Sequence, residues 1–305
     1  MARALQSVLW ETCKRDDCIG IQLPGGHCFV HSTFDEQQAA LQLLTNGHEL
    51  EFTRGLTIGP EVLDMVKEST LRRQGRITFR QAAFSRATFT GPADFTGILF
   101  EGPADFSQTR FQGPAVFDLC GFSGIADFSR AHFYHVIEMR KVIFSDKVKF
   151  GMAKLRALAN FVDSRFEADP DLIPSMDEYE NDFRRATFCG EAAFGGTFFK
   201  SATTFAFAKF KGLASFTDAT FAGSAKFYST TFVREAHFHM TTFLTHSDFA
   251  EASFKLHCSL LPSWVRRLCE IRGCDFQRKP SSAGQYLRPR LDSMERSSRL
   301  ELTFG

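Results

Sequence analysis

The sequence predicts an all-β solenoid, and three observations lead to it: a short strict repeat, a large apolar residue at one position of the repeat, and a composition that excludes a helical repeat. From Phe84 to Phe254, alternate steps of five and six residues reach 32 positions, and 28 of them are Phe. A unit this short cannot bury its own apolar face, so the units must stack around one continuous interior.

The repeat is kept even where phenylalanine is absent. The other four positions hold Met139, Leu155, Leu172 and Asp177, of which only one is polar. A small residue, usually Ala, stands two positions before most of them. Residues two apart on a strand point to the same side. Each unit is therefore predicted to turn one large and one small side chain inward.

A helical alternative exists, because a period of eleven is also that of a right-handed coiled coil. Glycine recurs through the units, at a cost of about 1 kcal/mol for each one inside a helix. Proline also falls inside three successive units, at Pro92, Pro103 and Pro114, where it would break a helix. Composition therefore favours short strands and turns.

Segments such as FTGPADFTGILF, FEGPADFSQTRF and FAGSAKFYSTTF resemble the pentapeptide-repeat proteins, and the resemblance extends over 77–257. The glycine-containing form and the preceding Cys-rich segment are similar to actinobacterial members. The resemblance implies a right-handed quadrilateral parallel β-helix, in which each unit forms one side of a square coil. It also implies a protein-binding role.

Alternate units carry one extra residue, often beside a glycine such as Gly91, Gly102 or Gly113. Glycine there is expected to adopt positive φ and open a wider corner. A Pro-rich acidic segment, 169–182, keeps the phase of the repeat, so the coil is predicted to continue through it. It is either a protruding interaction loop or a decayed repeat.

With two eleven-residue units in each coil, the outward positions are predicted to form stripes of charge along the rod. The first stripe is Asp94, Val116, Glu138, Asn160, Asp182, Thr204, Lys226 and Asp248. The second is Asp105, Asp127, Lys149 and Asp171. The third is Thr88, Arg110, His132 and Lys154.

Residues 1–76 are predicted to form a separate small α+β unit before the rod at 77–257. A strand is expected at 28–30, a helix after Thr33 or Asp35, and a second helix with Pro60 at its first position. Residues 258–305 form the last segment, of net charge +4, and are predicted to contain a cap helix followed by a basic tail.

The N-terminal unit contains Cys13, Cys18, Cys28 and His31. Three thiolates and an imidazole suit a closed tetrahedral zinc site, which could stabilise a unit too small to make its own core. The alternative is that Cys18 and Cys28 are small apolar core residues. A second set, His257, Cys258, Cys269 and Cys274, is a weaker metal candidate.

Bulk properties exclude several classes of protein. No apolar run reaches the ~18 residues that span a membrane, and Glu11 and Lys14 interrupt any signal peptide. Eight cysteines without an export signal favour free thiols or metal ligands in the cytoplasm. No catalytic or phosphate-binding motif is present, so no enzyme activity is expected.

The function predicted is a non-enzymatic scaffold that binds a protein of unknown identity, without contacting nucleic acid or membrane directly. Homodimerisation stays open. The alternative that the resemblance implies is a DNA mimic that binds gyrase or another type II topoisomerase. Against it, the rod has a net charge of −1, far from the charge density of duplex DNA.

Overall fold

The computed structural model describes residues 10–45, 50–51, 53–70, 72–73, 75–168, 181–255 and 275–276. They form a parallel β-solenoid of about eight turns with four flat faces. Each coil crosses the first, second, third and fourth face in that order, with a strand of two residues on most of them. The all-β solenoid expected from the repeat is confirmed.

The first face has eight strands, which are Ala82–Ala83, Ala104–Asp105, Ala126–Asp127, Val148–Lys149, Asn181–Asp182, Thr203–Thr204, Ala225–Lys226 and Ser247–Asp248. The second has ten: Thr57–Ile58, Thr88–Phe89, Arg110–Phe111, His132–Phe133, Lys154–Leu155, Thr187–Phe188, Lys209–Phe210, Thr231–Phe232, Ser253–Phe254 and Asp275–Phe276.

The third face has seven strands, which are Ala93–Asp94, Ala115–Val116, Ile137–Glu138, Ala159–Asn160, Ala192–Ala193, Ala214–Ser215 and Ala236–His237. The fourth has nine: Arg72–Arg73, Arg76–Phe79, Leu99–Phe100, Gly121–Phe122, Ile143–Phe144, Arg165–Phe166, Phe198–Phe199, Thr220–Phe221 and Thr242–Phe243. All strand pairs are parallel except the antiparallel pair that opens the fourth face.

Phenylalanine fills the interior in four stacks, one behind each face. On the second face the rings of Phe89 and Phe111 lie 4.9 Å apart with planes at 1°, because successive coils repeat at the spacing of paired strands. Rings from different faces meet edge to face, as Phe95 and Phe106 do at 80°. Each such pair contributes about 0.5–1.5 kcal/mol beyond burial.

Small polar residues also point inward and connect the coils. Thr109 Oγ1 donates to the carbonyl of Phe84 at 2.9 Å, and Thr230 Oγ1 donates in the same way to Phe205. The Cys120 thiol occupies an equivalent position and donates to Phe95 at 3.0 Å. This buried cysteine is thus part of a repeated structural hydrogen bond.

The corner glycines do not have the backbone conformation expected of them. Positive φ falls at the corners spanned by five residues, at Gln108 (58°) and Leu119 (60°) for example. Glycine marks the six-residue corners for a different reason. A Cβ at Gly113 would lie 2.4 Å from the backbone carbon of Gly91 in the preceding coil, so close stacking excludes a side chain there.

The register predicted for the stripes beyond the acidic segment was wrong. Lys149 pairs directly with Asp182, although a regular coil after Lys149 would return to the first face at Asp171. One further repeat unit, which is half a coil, is therefore inserted between the paired strands. An insertion of one repeat unit leaves the spacing of the Phe positions unchanged. It shifts every later residue to a different face from the one that a constant step of one coil predicts. Asp182 follows Lys149 on the first face and does not follow Asn160. The positions Leu172 and Asp177, with Asp171, lie outside the described residues.

The segment before the rod contains two α-helices, Phe34–Thr45 and Pro60–Glu68. Thr33 and Glu36 cap the first one reciprocally, through backbone N–H bonds at 2.9 and 3.4 Å. Pro60 opens the second as predicted. The strand expected at 28–30 was wrong: Phe29–His31 is a 3-10 helix, closed by the bond from His31 N–H to the carbonyl of Cys28.

The described residues between 10 and 70, called the cap below, join the start of the rod. Thr57–Ile58 pairs with Thr88–Phe89, and Leu50 bridges to Ala82. Buried side chains of the cap and of the first coils form one continuous apolar cluster. The cap thereby covers the first coil of the solenoid.

Two further features concern the limits of the rod. Asp275–Phe276 pairs with Ser253–Phe254 and adds a strand one regular coil further along the chain. The expected C-terminal cap helix and the set from His257 to Cys274 lie outside the described residues. No helix among the described residues is long and apolar enough to cross a membrane.

Candidate metal centre

The cap brings together the four predicted ligand residues from two loops. The first loop is closed by bonds from Cys13 N–H to the carbonyl of Gly20 and from Cys18 N–H to that of Arg15. The second follows a tight turn, in which Gly26 N–H donates to the carbonyl of Leu23. Short loops of this kind hold side chains in place without a large core.

The two loops approach closely because residue 20 lacks a side chain. A Cβ on Gly20 would lie 2.8 Å from Cys28 Cβ and 2.8 Å from Leu56 Cδ2. Any larger residue would separate the loop bearing Cys13 and Cys18 from the loop bearing Cys28. Glycine is therefore needed here for close approach of two backbones.

The potential ligand atoms of Cys13, Cys18, Cys28 and His31 all lie within 4.8 Å of one another. The sulfurs of Cys18 and Cys28 are 3.7 Å apart. The Nδ1 atom of His31 is 3.5 Å from Cys13 Sγ and 3.4 Å from Cys28 Sγ. The four residues are thus close enough to hold one metal ion.

These distances can be compared with the edges of a tetrahedral site. Bonds of about 2.3 Å to sulfur and about 2.0–2.1 Å to nitrogen give edges of about 3.8 Å between sulfurs and about 3.6 Å from sulfur to nitrogen. The distances at His31 and between Cys18 and Cys28 agree with those edges to within about 0.2 Å. Three of the six edges of the cluster therefore match a tetrahedral site, and the other three lie within 4.8 Å.

The surroundings shift the pKa values of the three thiols in different directions. Burial by itself would raise the pKa of Cys13, but backbone N–H groups at Arg15 and Cys28, together with the His31 side chain, lower this pKa to about 6. Burial raises the pKa of Cys28 to about 12, and the nearby Cys18 charge adds to that effect. Burial also raises the pKa of Cys18.

Burial is the main cause of the raised pKa values of Cys18 and Cys28, and the crowding of three groups that would each become negative adds to it. Without a cation, one thiolate at Cys13 opposes ionisation of its neighbours. A divalent ion at the centre would reverse this, because it binds thiolates and releases their protons. With four protein ligands, such a site has no position for substrate and would be structural.

The cluster lies beside the first coils of the rod. Cys13 and Cys28 are buried in the shared apolar cluster. Trp10 donates a hydrogen bond from Nε1 to the carbonyl of Ile19. The guanidinium of Arg86 in the rod lies 5.8 Å from the centre of the Trp10 ring. The Cys and His cluster therefore lies in the same packed core as the first coils of the solenoid.

Other residues singled out in the sequence do not join this cluster. His132 lies on the second face, and His237 pairs with Glu235 at 3.3 Å on the third. The acidic stripes have a structural role that the sequence did not reveal. Asp105 and Asp127 each accept a hydrogen bond from the backbone N–H two residues later, which stabilises the turn that follows.

Two blocks of the rod match a known family by sequence. Residues 84–132 and 207–253 match the family model described as pentapeptide repeats, in nine copies. No curated protein and no solved structure matches the chain. Neither block includes the four Cys and His residues, so the similarity describes the rod and not the cluster in the cap.

Proposed function

Because this chain belongs to the pentapeptide-repeat proteins, we propose that it is a non-enzymatic scaffold that presents a rigid solenoid surface to a protein partner. One observation carries the proposal. The interior is filled by the repeat's own side chains, with Phe95, Phe106 and Phe117 fully buried, so the flat outer faces are what a partner can contact. Rigid ladders of side chains bind at little cost in conformational entropy.

The test is affinity capture with the intact chain and four variants, each changed on one face only. The substitutions are Lys149→Glu with Lys226→Glu, Lys209→Glu with Lys211→Glu, Asn160→Lys with Ser215→Lys, and Arg165→Glu with Lys200→Glu. We expect one partner, bound in fixed stoichiometry when both proteins are purified, to be lost with one variant and kept by the other three. A partner that all four retain equally would contradict the proposal. So would a catalytic turnover abolished by a single outward substitution.

For the cap we propose a structural zinc ion bound by Cys13, Cys18, Cys28 and His31. The tetrahedral edges and the donor set support it, because thiolate and imidazole ligands are those zinc prefers in closed sites. Free cysteines at all five described positions suit a reducing compartment such as the cytoplasm.

Elemental analysis of purified full-length protein tests the metal. We expect about one zinc per chain, from the four-ligand site, and its loss in Cys28→Ser. The matched control is Cys189→Ser, a half-buried cysteine on the second face of the rod, which should leave the zinc content unchanged. Full zinc occupancy in Cys28→Ser, or none in the unaltered protein, would refute the assignment.

The topoisomerase alternative has no feature of the described rod in its favour. A duplex mimic needs a dense, nearly uniform negative surface. On the third face Arg140 pairs with Asp118 at 2.5 Å, and on the first Arg184 pairs with Asp182 at 2.9 Å. These cations neutralise part of the acidic stripes, so the described surface lacks the uniform negative field that a duplex mimic needs.

A further inference from the structure

The second face differs from the other three in its charge. Its outward positions are the residues just before and just after each inward Phe of the strands between Thr88 and Phe254. None of these positions holds Asp or Glu. Six hold exposed cations: Arg110, Lys154, Arg156, Lys209, Lys211 and Lys255. This surface is called the basic face below.

Because of the inserted repeat unit, sequence spacing alone does not bring the residues of the basic face together. A constant step of one regular coil groups Thr88, Arg110, His132 and Lys154 but then leaves the face. The register continues from Lys154 to Thr187 and on to Lys209. Only the observed pairing places Lys209 and Lys211 in line with Lys154 and Arg156.

The cations of the basic face have no carboxylate partner among the described residues. On the other faces several cations are neutralised locally, as Arg165 is by Glu167 on the fourth face and Arg184 is by Asp182 on the first. On the basic face Arg156 instead lies over the ring of Tyr134, 4.5 Å from its centre. The positive charge of the face also affects His132. Burial, and then the charges of Lys154 and Arg110, lower the pKa of this side chain.

The cations are spaced in a regular way. Lys154 with Arg156, then Lys209 with Lys211, occupy every second rung, and the rung between them carries Thr187 and Cys189. Alternate rungs lie about 10 Å apart, close to the screening length of physiological salt. This spacing limits the repulsion between cations on successive occupied rungs. The net charge of the face is nevertheless positive along its length.

Charge density decides which polyanion fits this face. From Arg110 to Lys255 there are six steps of about 4.8 Å, so six cations span about 29 Å, or one per about 5 Å. An extended acidic peptide offers a carboxylate on one side about every 6.7 Å. Duplex DNA carries one charge per about 1.7 Å, about three times too dense.

The neighbouring faces also exclude wide partners. Asp105 and Asp127 flank the basic face on the first face, and Asp94 and Glu138 flank it on the third. A broad anionic duplex would approach these carboxylates, whereas a single extended segment would not. None of the described large exposed apolar residues lies on the basic face, so the face offers no side chain that would insert into a lipid surface.

We propose that an acidic segment of a protein partner lies along the basic face, with its carboxylates over the paired cations. One shallow depression on the face is lined by Lys209, Lys211, Thr231, Val233, Ser253 and Lys255. There three ammonium groups surround an uncharged floor, which suits a carboxylate flanked by small apolar groups. The inference rests on the proposed scaffold function and names the face and the chemistry of its partner.

The test is binding of a fluorescein-labelled peptide of alternating Glu and Thr to the full-length protein. About twelve residues span about 40 Å when extended, enough to cover the face. Lys209→Glu with Lys211→Glu should weaken binding by about tenfold or more, because two attractive contacts become repulsive. The matched control, Lys141→Glu with Lys200→Glu, makes the same charge change at exposed positions off the face, and should weaken binding less than about threefold.

Equal weakening by both pairs of substitutions would overturn the proposal, as would equal binding of a peptide of alternating Gln and Thr. Tighter binding of single-stranded DNA of similar length, or of vesicles containing phosphatidylserine, through the same two lysines would replace the acidic segment with another partner. If face variants show instead that a captured partner uses a different face, the scaffold function stands and this inference fails.

Discussion

In the rod each coil repeats the contacts of the coil before it, whereas in the cap every stabilising contact occurs once. Phe106 stacks between Phe84 and Phe128 at 5.0 Å on each side, and the same arrangement recurs along all four stacks. The cap instead combines apolar packing that continues into the rod with one cluster of three thiols and an imidazole. A repeat distributes its stability over neighbours, while a small unit concentrates it at a single site.

The largest expected effect comes from placing a charge inside the rod. Phe117→Asp would remove a ring that stacks on Phe95 at 4.8 Å and leave a buried carboxylate without a partner. Loss of the ring and burial of the carboxylate should together lower the free energy of unfolding by more than about 6 kcal/mol, which is comparable with the whole stability of a domain. We expect insoluble protein, or loss of the cooperative thermal transition by circular dichroism.

The control for Phe117→Asp is Gln112→Asp, which introduces the same residue at an exposed outward position of the neighbouring unit. Its effect should stay within about 0.5 kcal/mol. Similar melting of the two variants would mean that the inward assignment of the Phe positions is incorrect.

The next effect separates the cap from the rod. Cys28→Ser should abolish hydrogen-exchange protection of cap amides, such as Cys13 and Leu23, which bond only within the cap. Amides of the middle of the rod, such as Phe128, bond between coils and should keep their protection, because each coil depends mainly on its neighbours.

In this exchange experiment Cys189→Ser is again the control and should leave both regions protected. Equal loss of protection in the cap and in the rod after Cys28→Ser would contradict this expectation, because it would show that the two regions unfold together.

The same contrast explains what the sequence could predict. The rod was predictable because one rule holds for nearly every unit: inward Phe with a small residue two before it. The prediction assigned residues after the insertion to the wrong faces. An insertion of one repeat unit keeps Phe166 and Phe183 on the same alternating spacing, so the spacing gives no sign of it. Only strand pairing distinguishes the two registers.

In the cap no rule repeats, so prediction depended on residue chemistry. Ligand type alone indicated Cys13, Cys18, Cys28 and His31 as a set, and the structure brings their ligand atoms together. The junction with the rod was not predictable. The pairing of Thr57 with Thr88 joins positions that are distant in sequence, and Thr57–Ile58 lacks the inward Phe by which the repeat is recognised.

A smaller effect tests how tightly successive coils stack. Gly113→Ala would place a Cβ 2.4 Å from the backbone of Gly91, where no flexible side chain can move away. Overpacking of this kind should cost about 2–3 kcal/mol, measured as a shift in denaturant midpoint. At Gly151 the nearest atom to an added Cβ is 3.6 Å away, so Gly151→Ala should change stability by less than about 0.5 kcal/mol. Similar midpoints would mean that the coils can separate locally at the corner.

The smallest effect concerns an interruption of the aromatic stacks. Leu155 is fully buried and follows Phe133 and precedes Phe188 on the second face, where the neighbouring pair Phe188 and Phe210 stacks at 4.6 Å. Leu155→Phe would complete the stack and should stabilise the protein by up to about 1 kcal/mol, read from the thermal midpoint.

Leu155→Met is the control for this change, because it keeps the volume without adding a ring, and it should give no gain. Destabilisation by Leu155→Phe would show that the surrounding side chains have already closed around the smaller residue. The rod would then tolerate a variation in its repeat by local repacking, as the non-repeating cap must do at every position.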